Sequence, residues 1–304
     1  MSALASVSGV MHGQFLVSPR RHDGGVRARF LRSRRAVGGL LVLGVVLLLS
    51  SALSLMWPVD PVAMAPASKL LGPLVADRNG VTHLMGTDSL GRDILARVLF
   101  GARVSLAVAL GSVIISGAFG LALGLVAGFY RRLDAPIMRI ADIQLAIPPV
   151  LLAIGLAAAL GPSLPNLIFV LAVTNWVIFA RTVRASALTL RESSFVEAAR
   201  AVGAGDLRIL GQHIMRNAWT PTIVVASQRV AQVILLEASL SFLGVGVPVE
   251  VPTWGSMVAD GRAQILTNNW WVAGFPGLAI TLTVLGVNFF GDGLRDVLDP
   301  RLRV

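Results

Sequence analysis

Stretches almost free of charge alternate with shorter polar segments along the 304 residues of this chain. Ala36 to Met56, Ala102 to Phe129, Met138 to Leu160, Asn166 to Ala185, Pro221 to Leu243 and Trp270 to Phe290 each reach the roughly 20 apolar residues that a helix needs to cross about 30 Å of hydrocarbon. Lipid-facing strands would alternate with a period of two, and none of these stretches does. The pattern predicts an all-α integral membrane fold with six transmembrane helices. Pro148-Pro149 should kink the third span, and Gly161-Pro162-Ser163-Leu164-Pro165 forms a hairpin between the third and fourth. Gly120, Gly124 and Gly128 recur every four residues on the second span, so another backbone can approach that ridge closely.

The polar segments carry their own elements. Pro58, Pro61, Pro66, Gly72-Pro73 and Asp77-Arg78-Asn79-Gly80 punctuate an insertion over 58–101. From Thr87 or Asp88 as N-cap, Leu90, Ile94 and Val98 repeat with Leu95 and Leu99 alongside, and Arg92, Asp93 and Arg97 lie opposite. That spacing predicts an amphipathic helix on the membrane face. Between the fourth and fifth spans, Ser194 and Glu197 have capping-box spacing and Gly203 supplies a left-handed stop. The short helix so defined aligns Phe195, Ala199 and Val202. At about two turns it is too short to stand alone in water, so the stripe requires a surface, on this chain or on another. Asp206 is placed to cap a second helix in the same loop. Segment by segment, the chain reads as a basic tail (1–35), a first span (36–57), the insertion (58–101), a five-helix core (102–294) enclosing the loop 186–217, and a C-terminal tail (295–304).

Composition agrees: 55% of residues are hydrophobic, only 14% are charged and the mean hydropathy is +0.76, against about a quarter charged in soluble domains. A net charge of +10 raises the question of nucleic acid. The arginines, however, sit in blocks beside apolar spans without interleaved aromatics, so no nucleic-acid partner is expected. The tail, the Arg131 to Arg139 turn and the Arg191 to Arg216 loop are net basic. The intervening segments are neutral or slightly acidic, which places both termini and the short helix in the cytoplasm. With no cysteine, thiolate chemistry and disulfides are absent. Lys69 is the only lysine and follows Ser68, so a Gly-Lys-Ser/Thr phosphate loop cannot form. His12, His22, His83 and His213 lie outside zinc-protease spacing, and no nucleophile elbow or intramembrane-protease motif is present. The chain is read as a non-enzyme without catalytic residues, metal or cofactor of its own.

Two ionisable residues inside the fifth span need an account. Arg229 and Glu237 fall about 80° apart on a helical wheel, while Gln228, Gln232 and Ser239 share one face. Such residues face protein or water. The polar face either borders a cavity or bonds to neighbouring helices, or Arg229 snorkels to the cytoplasmic interface.

Several motifs carry a family resemblance. Glu197-Ala198-Ala199, then Gly203, is similar to the coupling loop of bacterial ABC importer permeases. His83-Leu84-Met85-Gly86-Thr87-Asp88-Ser89-Leu90-Gly91-Arg92-Asp93 and Gly101-Ala102-Arg103-Val104-Ser105-Leu106 resemble the dipeptide/oligopeptide-type permease, C-subunit branch. Further matches are Asp142 with Pro148, Trp176 with Ala180-Arg181 and Arg184, Ser241 to Gly246, Thr253-Trp254-Gly255, and Asn288 through Gly291-Asp292-Gly293-Leu294-Arg295-Asp296 to Asp299-Pro300-Arg301. The resemblance spans 83–304. It departs at Arg216, where the family has proline, so the break before the fifth span is expected to be softer or shifted toward Pro221.

The resemblance implies a type I ABC importer permease fold in a bacterial cytoplasmic (inner) membrane and half of a translocation pathway for di- or oligopeptides. Nickel, glutathione and other peptide-like solutes are alternatives within the family; a non-transport membrane scaffold is the alternative outside it. Implied partners are a homologous second permease, two cytoplasmic ATPase domains holding ATP and Mg, an extracytoplasmic substrate-binding protein and the lipid bilayer. Ser194, Phe195, Glu197, Ala198, Ala199, Val202 and Gly203 are implied to contact the ATPase. Gln228, Arg229, Gln232, Glu237 and Ser239 are candidates for the substrate pathway.

Overall fold

A computed structural model describes residues 30–53, 59–248 and 250–298. The expected tail over 1–29, the end of the first span at 54–57 and the motif Asp299-Pro300-Arg301 lie outside the described residues. Within them the regular structure is helical except for one two-stranded antiparallel hairpin, β1 (Val75–Ala76) with β2 (Thr82–His83). The helices are α1 (Arg34–Leu48, continued by a π-turn over Leu49–Leu53), α2 (Ile94–Phe129), α3 (Arg131–Leu145), α4 (Pro149–Leu160), α5 (Leu164–Arg191), α6 (Ser194–Ala201), α7 (Met215–Phe242), α8 (Trp254–Ile265) and α9 (Trp271–Leu298).

Among the described residues five helices are long and apolar enough to cross a membrane, or six units if α3 and α4 together count as one. That pair is the clearest departure from the hydrophobic pattern. α3 and α4 meet at 89°, a break rather than a kink. Pro148 takes the N-cap position of α4 with Pro149 behind it, and proline disfavours helical geometry in the residue before it as well as lacking an N–H of its own.

The second span is longer than expected. α2 has 36 residues, about 54 Å at 1.5 Å per residue, and therefore joins the two ends of the molecule. Its first two turns hold the residues predicted as a separate amphipathic helix. The helix starts at Ile94, not at Thr87 or Asp88, because the Asp93 side chain accepts from the Ala96 N–H at 2.8 Å and caps it. Leu90 belongs to the turn before it, and Arg92, Asp93 and Arg97 are buried rather than laid on a polar face.

The glycine ridge packs on α5 as the spacing predicts. A Cβ built on Gly124 would stand 2.5 Å from the Ala180 carbonyl oxygen and 2.8 Å from Val183 Cβ. α2 and α5 make the most extensive helix pair of the protein. α1 and α9 are apposed in the same way, with Gly39 against Gly286 and Phe290, and Gly293 against Ala36. The central apolar core joins Val108 and Val113 of α2, Ala153 of α4, Leu171 and Phe179 of α5, and Ile234 of α7.

Two further boundaries move. α5 continues to Arg191, past the expected end near Ala185. The fifth span is unbroken from Asp206 to Phe242, entered through a π-helical turn over Ile209–Ile214. Arg216, having the backbone N–H that proline lacks, lets the helix run on, and Pro221 sits inside it. Asp206 is the first helical residue behind Gly205 and makes no side-chain cap bond.

Candidate functional site

The phenylalanine end of α2 carries α6. The helix is seated by Val196, fully buried among Leu125 and Phe129 of α2, Val183 and Ala187 of α5, and Ile209 and Ile214 at the entry to α7. Arg191 donates to the Gly128 and Phe129 carbonyls at 3.3 Å each, satisfying the last turn of α2. The Arg200 guanidinium stands 5.7 Å from the centre of the Phe129 ring. This seat ties the ends of three long helices to one short one.

Ser194 is not the N-cap of α6, and the capping box with Glu197 does not form. Ser193 takes the cap position with extended backbone, its carbonyl accepting from Val196 and Glu197 at 3.1 Å, while its hydroxyl donates to the Leu190 carbonyl. Glu197 still lies near the positive end of the helix, where a carboxylate is favoured. Gly203 does supply the left-handed stop, with φ of +86°. The stripe divides between two surfaces. Ala199 is half-buried against the same apolar cluster, whereas Phe195 is 41% and Val202 85% exposed. Ser194, Glu197, Ala198 and Leu207 are exposed with them. The seating residue, Val196, lies outside the i, i+4, i+7 stripe; the β-branched residue between Phe195 and Glu197 was its only signal.

The opposite end of α2 carries a buried ionic clamp assembled from the His83-to-Asp93 motif. Asp88 accepts from Leu90 and Arg92 N–H groups at 2.8 and 2.9 Å, from Arg92 Nε at 2.6 Å, and from the Arg97 guanidinium. Both arginines also reach Asp260 of α8, at 3.2 and 3.4 Å. His83 Nδ1 is 2.7 Å from the other oxygen of the capping Asp93. Burial by itself would raise the Asp88 carboxyl, yet the backbone N–H donors and the Arg97 and Arg92 charges hold it below the usual carboxylate range. Trp271 Nε1 donates to the Thr87 carbonyl at 3.3 Å and Trp254 Nε1 to that of Val98 at 3.0 Å. The cap over 59–93 is thereby fixed to α2, α8 and α9.

The broken span is clasped to α5 by the other motif residues. Arg184 forms a bidentate pair with Asp134, Arg181 meets Asp142, and Trp176 Nε1 donates to Gln144 at 2.8 Å. An apolar cavity of about 590 Å³ opens beside this clasp, lined by Phe119, Leu123, Gln144 and Trp176.

On α7 the structure separates the five polar candidates. Glu237 is 1% exposed and accepts from Ser241 at 2.8 Å and Ser105 at 3.4 Å, so it does not share a face with Ser239. Gln232 and Ser239 are exposed, and Gln228 and Arg229 are half-buried. The Arg229 guanidinium donates to the Gln232 side chain. Among the described residues no group of three or more His, Cys, Asp or Glu side chains could hold a metal ion.

A bundle of long apolar helices with one broken span, clamped at one end and bearing a small seated helix at the other, defines a multi-pass permease of the inner membrane. The chain belongs to the family of binding-protein-dependent transport system inner membrane components, whose profile matches residues 120–304. It is similar to the dipeptide transport system permease protein DppC of Alkalihalophilus pseudofirmus, with 41% identity over 273 residues, 90% of this chain and 88% of the relative. It is also similar to the di/tripeptide transport system permease protein DppC of Pseudomonas aeruginosa, with 42% identity over 277 residues, 90% of each chain. Identity to the glutathione transport system permease protein GsiD of Pectobacterium atrosepticum is likewise 42%, over 278 residues and 90% of each chain. In fold it resembles a chain of the MetNI methionine ABC transporter in inward-facing conformations, with a TM-score of 0.55 and 20% identity over 66% of this chain and 96% of that one. The protein is thus a non-catalytic permease subunit of an ABC importer, one component of a multi-subunit transport system.

Proposed function

We propose that this subunit forms half of the pathway of an ATP-driven importer of di- and oligopeptides, crossing the inner membrane six times with both termini in the cytoplasm. The observation that carries the coupling mechanism is the division of α6 into two faces. Val196 locks the helix onto the ends of α2, α5 and α7, and Phe195, Glu197, Ala198 and Val202 remain outside for a groove on a separate ATPase subunit. A helix merely packed on its own protein would cover its large apolar residues. This one leaves Val202 among the most exposed apolar side chains of the molecule, an arrangement suited to a partner. Its basic surroundings support the cytoplasmic side.

On this reading ATP, held with Mg in two partner ATPase domains, closes those domains and moves α6. The seat transmits the displacement to three long helices, which rock against a homologous second permease between outward- and inward-open states. The clamped cap over 59–93 and the segment around α8 lie at the other end, where an external substrate-binding protein would deliver cargo. Peptide cargo is supported by the di/tripeptide relatives, and glutathione, itself a peptide, by the equally similar glutathione permease.

Because the chain has no cysteine, a single Val202→Cys places one thiol on the outward face of α6. Cross-linking to a cysteine in the ATPase groove should be efficient in the assembled transporter, and Val196→Cys should cross-link to neither subunit. The reverse pattern would remove α6 from the interface.

A further inference from the structure

Arg229 stands midway along α7, a membrane-spanning helix of 28 residues. Its guanidinium is held by Gln232, and among the described residues no carboxylate accompanies it. The one acid of α7, Glu237, is turned into the bundle onto Ser105 and Ser241. On a helical wheel Glu237 lies about 160° from Ser239, while Gln228, Gln232 and Ser239 fall within about 40° of one another. Arg229 lies about 60° from Gln232 and about 80° from both Ser239 and Glu237, and its guanidinium reaches this face through its bond to Gln232, so that one cation adjoins two amides with no negative charge beside them. Ser239 lines an open hollow of about 410 Å³ between α7, α8 and α9, otherwise walled by apolar groups including Leu235, Phe242, Val258 and Ile280.

A cation in mid-membrane turned onto hydrocarbon is costly, and intramembrane arginines look onto water, protein or an anion. Its fork of N–H donors suits a carboxylate best, because two parallel hydrogen bonds add to the charge attraction. The amides of Gln228 and Gln232 beside it suit peptide N–H and C=O groups, and the apolar hollow at Ser239, about 15 Å further along the helix, suits side chains of varied shape. We propose that Arg229, presented by Gln232, takes the free carboxylate of the cargo as it passes, so that this chain favours cargo ending in a carboxylate over the same cargo with that charge removed. The inference rests on the peptide-import reading above. It adds the part of the cargo recognised inside the membrane and the residue that recognises it.

The test is equilibrium binding of tritiated trialanine and of trialanine amide to the purified complete assembly without nucleotide or binding protein. The wild type should bind the free acid at least tenfold more tightly than the amide. Arg229→Gln should lower acid binding to the amide level and leave amide binding unchanged. Gln232→Leu, which keeps the charge but removes its holder, should weaken acid binding alone by several-fold. Equal binding of both ligands by the wild type overturns the proposal without needing any variant. So does an Arg229→Gln assembly that keeps the preference, or one that loses acid and amide alike, as expected if Arg229 pairs with a carboxylate of the second permease. If the wild type binds neither peptide yet imports a different solute under ATP, the peptide reading itself fails.

Discussion

Asp88 collects two guanidinium groups and two backbone N–H donors onto one carboxylate with almost no access to water. Removing one member of such a buried set leaves the others uncompensated, at a cost of about 3–5 kcal/mol. Asp88→Asn should therefore expose the cap over 59–93 to limited proteolysis under conditions where the wild type resists. The acid response has a definite sign. The folded carboxyl sits below its ordinary range, so its contribution is complete above the unfolded value near pH 4 and is lost as pH falls through the lower folded value. Protease resistance of the cap should be flat at neutral pH and fall only in strong acid, and Asp88→Asn should abolish that dependence. Glu237 calls for the opposite kind of substitution. Its partners are hydroxyls rather than cations, so Glu237→Gln should melt close to the wild type. Glu237→Leu, which leaves Ser105 and Ser241 without their acceptor, should be less stable by about 1–3 kcal/mol. Single residues were also where sequence reasoning slipped. Ser193 and Ser194 offer the same cap chemistry one position apart, and Ser193 takes the cap position with its hydroxyl bonded back to Leu190. The capping box that does form, Thr253 with Ser256, lies in a segment for which no helix was expected.

At the scale of elements, the hydrophobic pattern revealed the spans because length and charge alone define a crossing. It did not reveal what happens at their ends. α8 was missed because its apolar side, Trp254 and Met257, is short and interrupted by the glycines that let it approach α7 and α9; a Cβ on Gly255 would lie 2.6 Å from Ala238 Cα. The continuous Asp206–Phe242 helix was missed because Pro221 read as a boundary signal, whereas the chain enters the helix through a π-turn and Pro221 sits inside it. The ridge on α2 was legible, since small residues every four positions have one simple use. Gly124→Leu should separate α2 from α5, because the added side chain would have to displace the Ala180 backbone and Val183. Overpacking of this kind costs about 1–3 kcal/mol even where side chains can shift, and here a backbone is in the way. The expected outcome is a lowered melting temperature and poor recovery from the membrane, with Gly111→Leu, which faces the side chain of Ile168, much milder.

For the molecule as a whole, α2 connects the two functional ends. Its first turn is locked into the clamp and its last turn into the seat of α6, so under the proposed coupling a displacement of α6 would reach the far end along a single helix. The motif residues marked both ends in the sequence. What they did not give is the direction in which each side chain points. Seven residues of one loop were grouped as a contact surface, and the fold splits them into outward and seated sets with Val196 as the unnoticed anchor. Five polar residues of α7 were grouped as a pathway, and the fold buries Glu237 against Ser105 and Ser241 while leaving Gln232 and Ser239 exposed. These divisions depend on tertiary packing, which spacing along one helix does not encode.

The central claim is that the outward face of α6 transmits work from a separate ATPase. It is tested most directly by Phe195→Asp with Val202→Asp in the complete assembly, measuring ATP-driven peptide uptake together with retention of the ATPase subunits. Because both side chains are exposed, the permease should keep its wild-type melting temperature while uptake falls by at least tenfold and the ATPase subunits are lost or run uncoupled. Wild-type uptake with a normal complement of ATPase would contradict the claim.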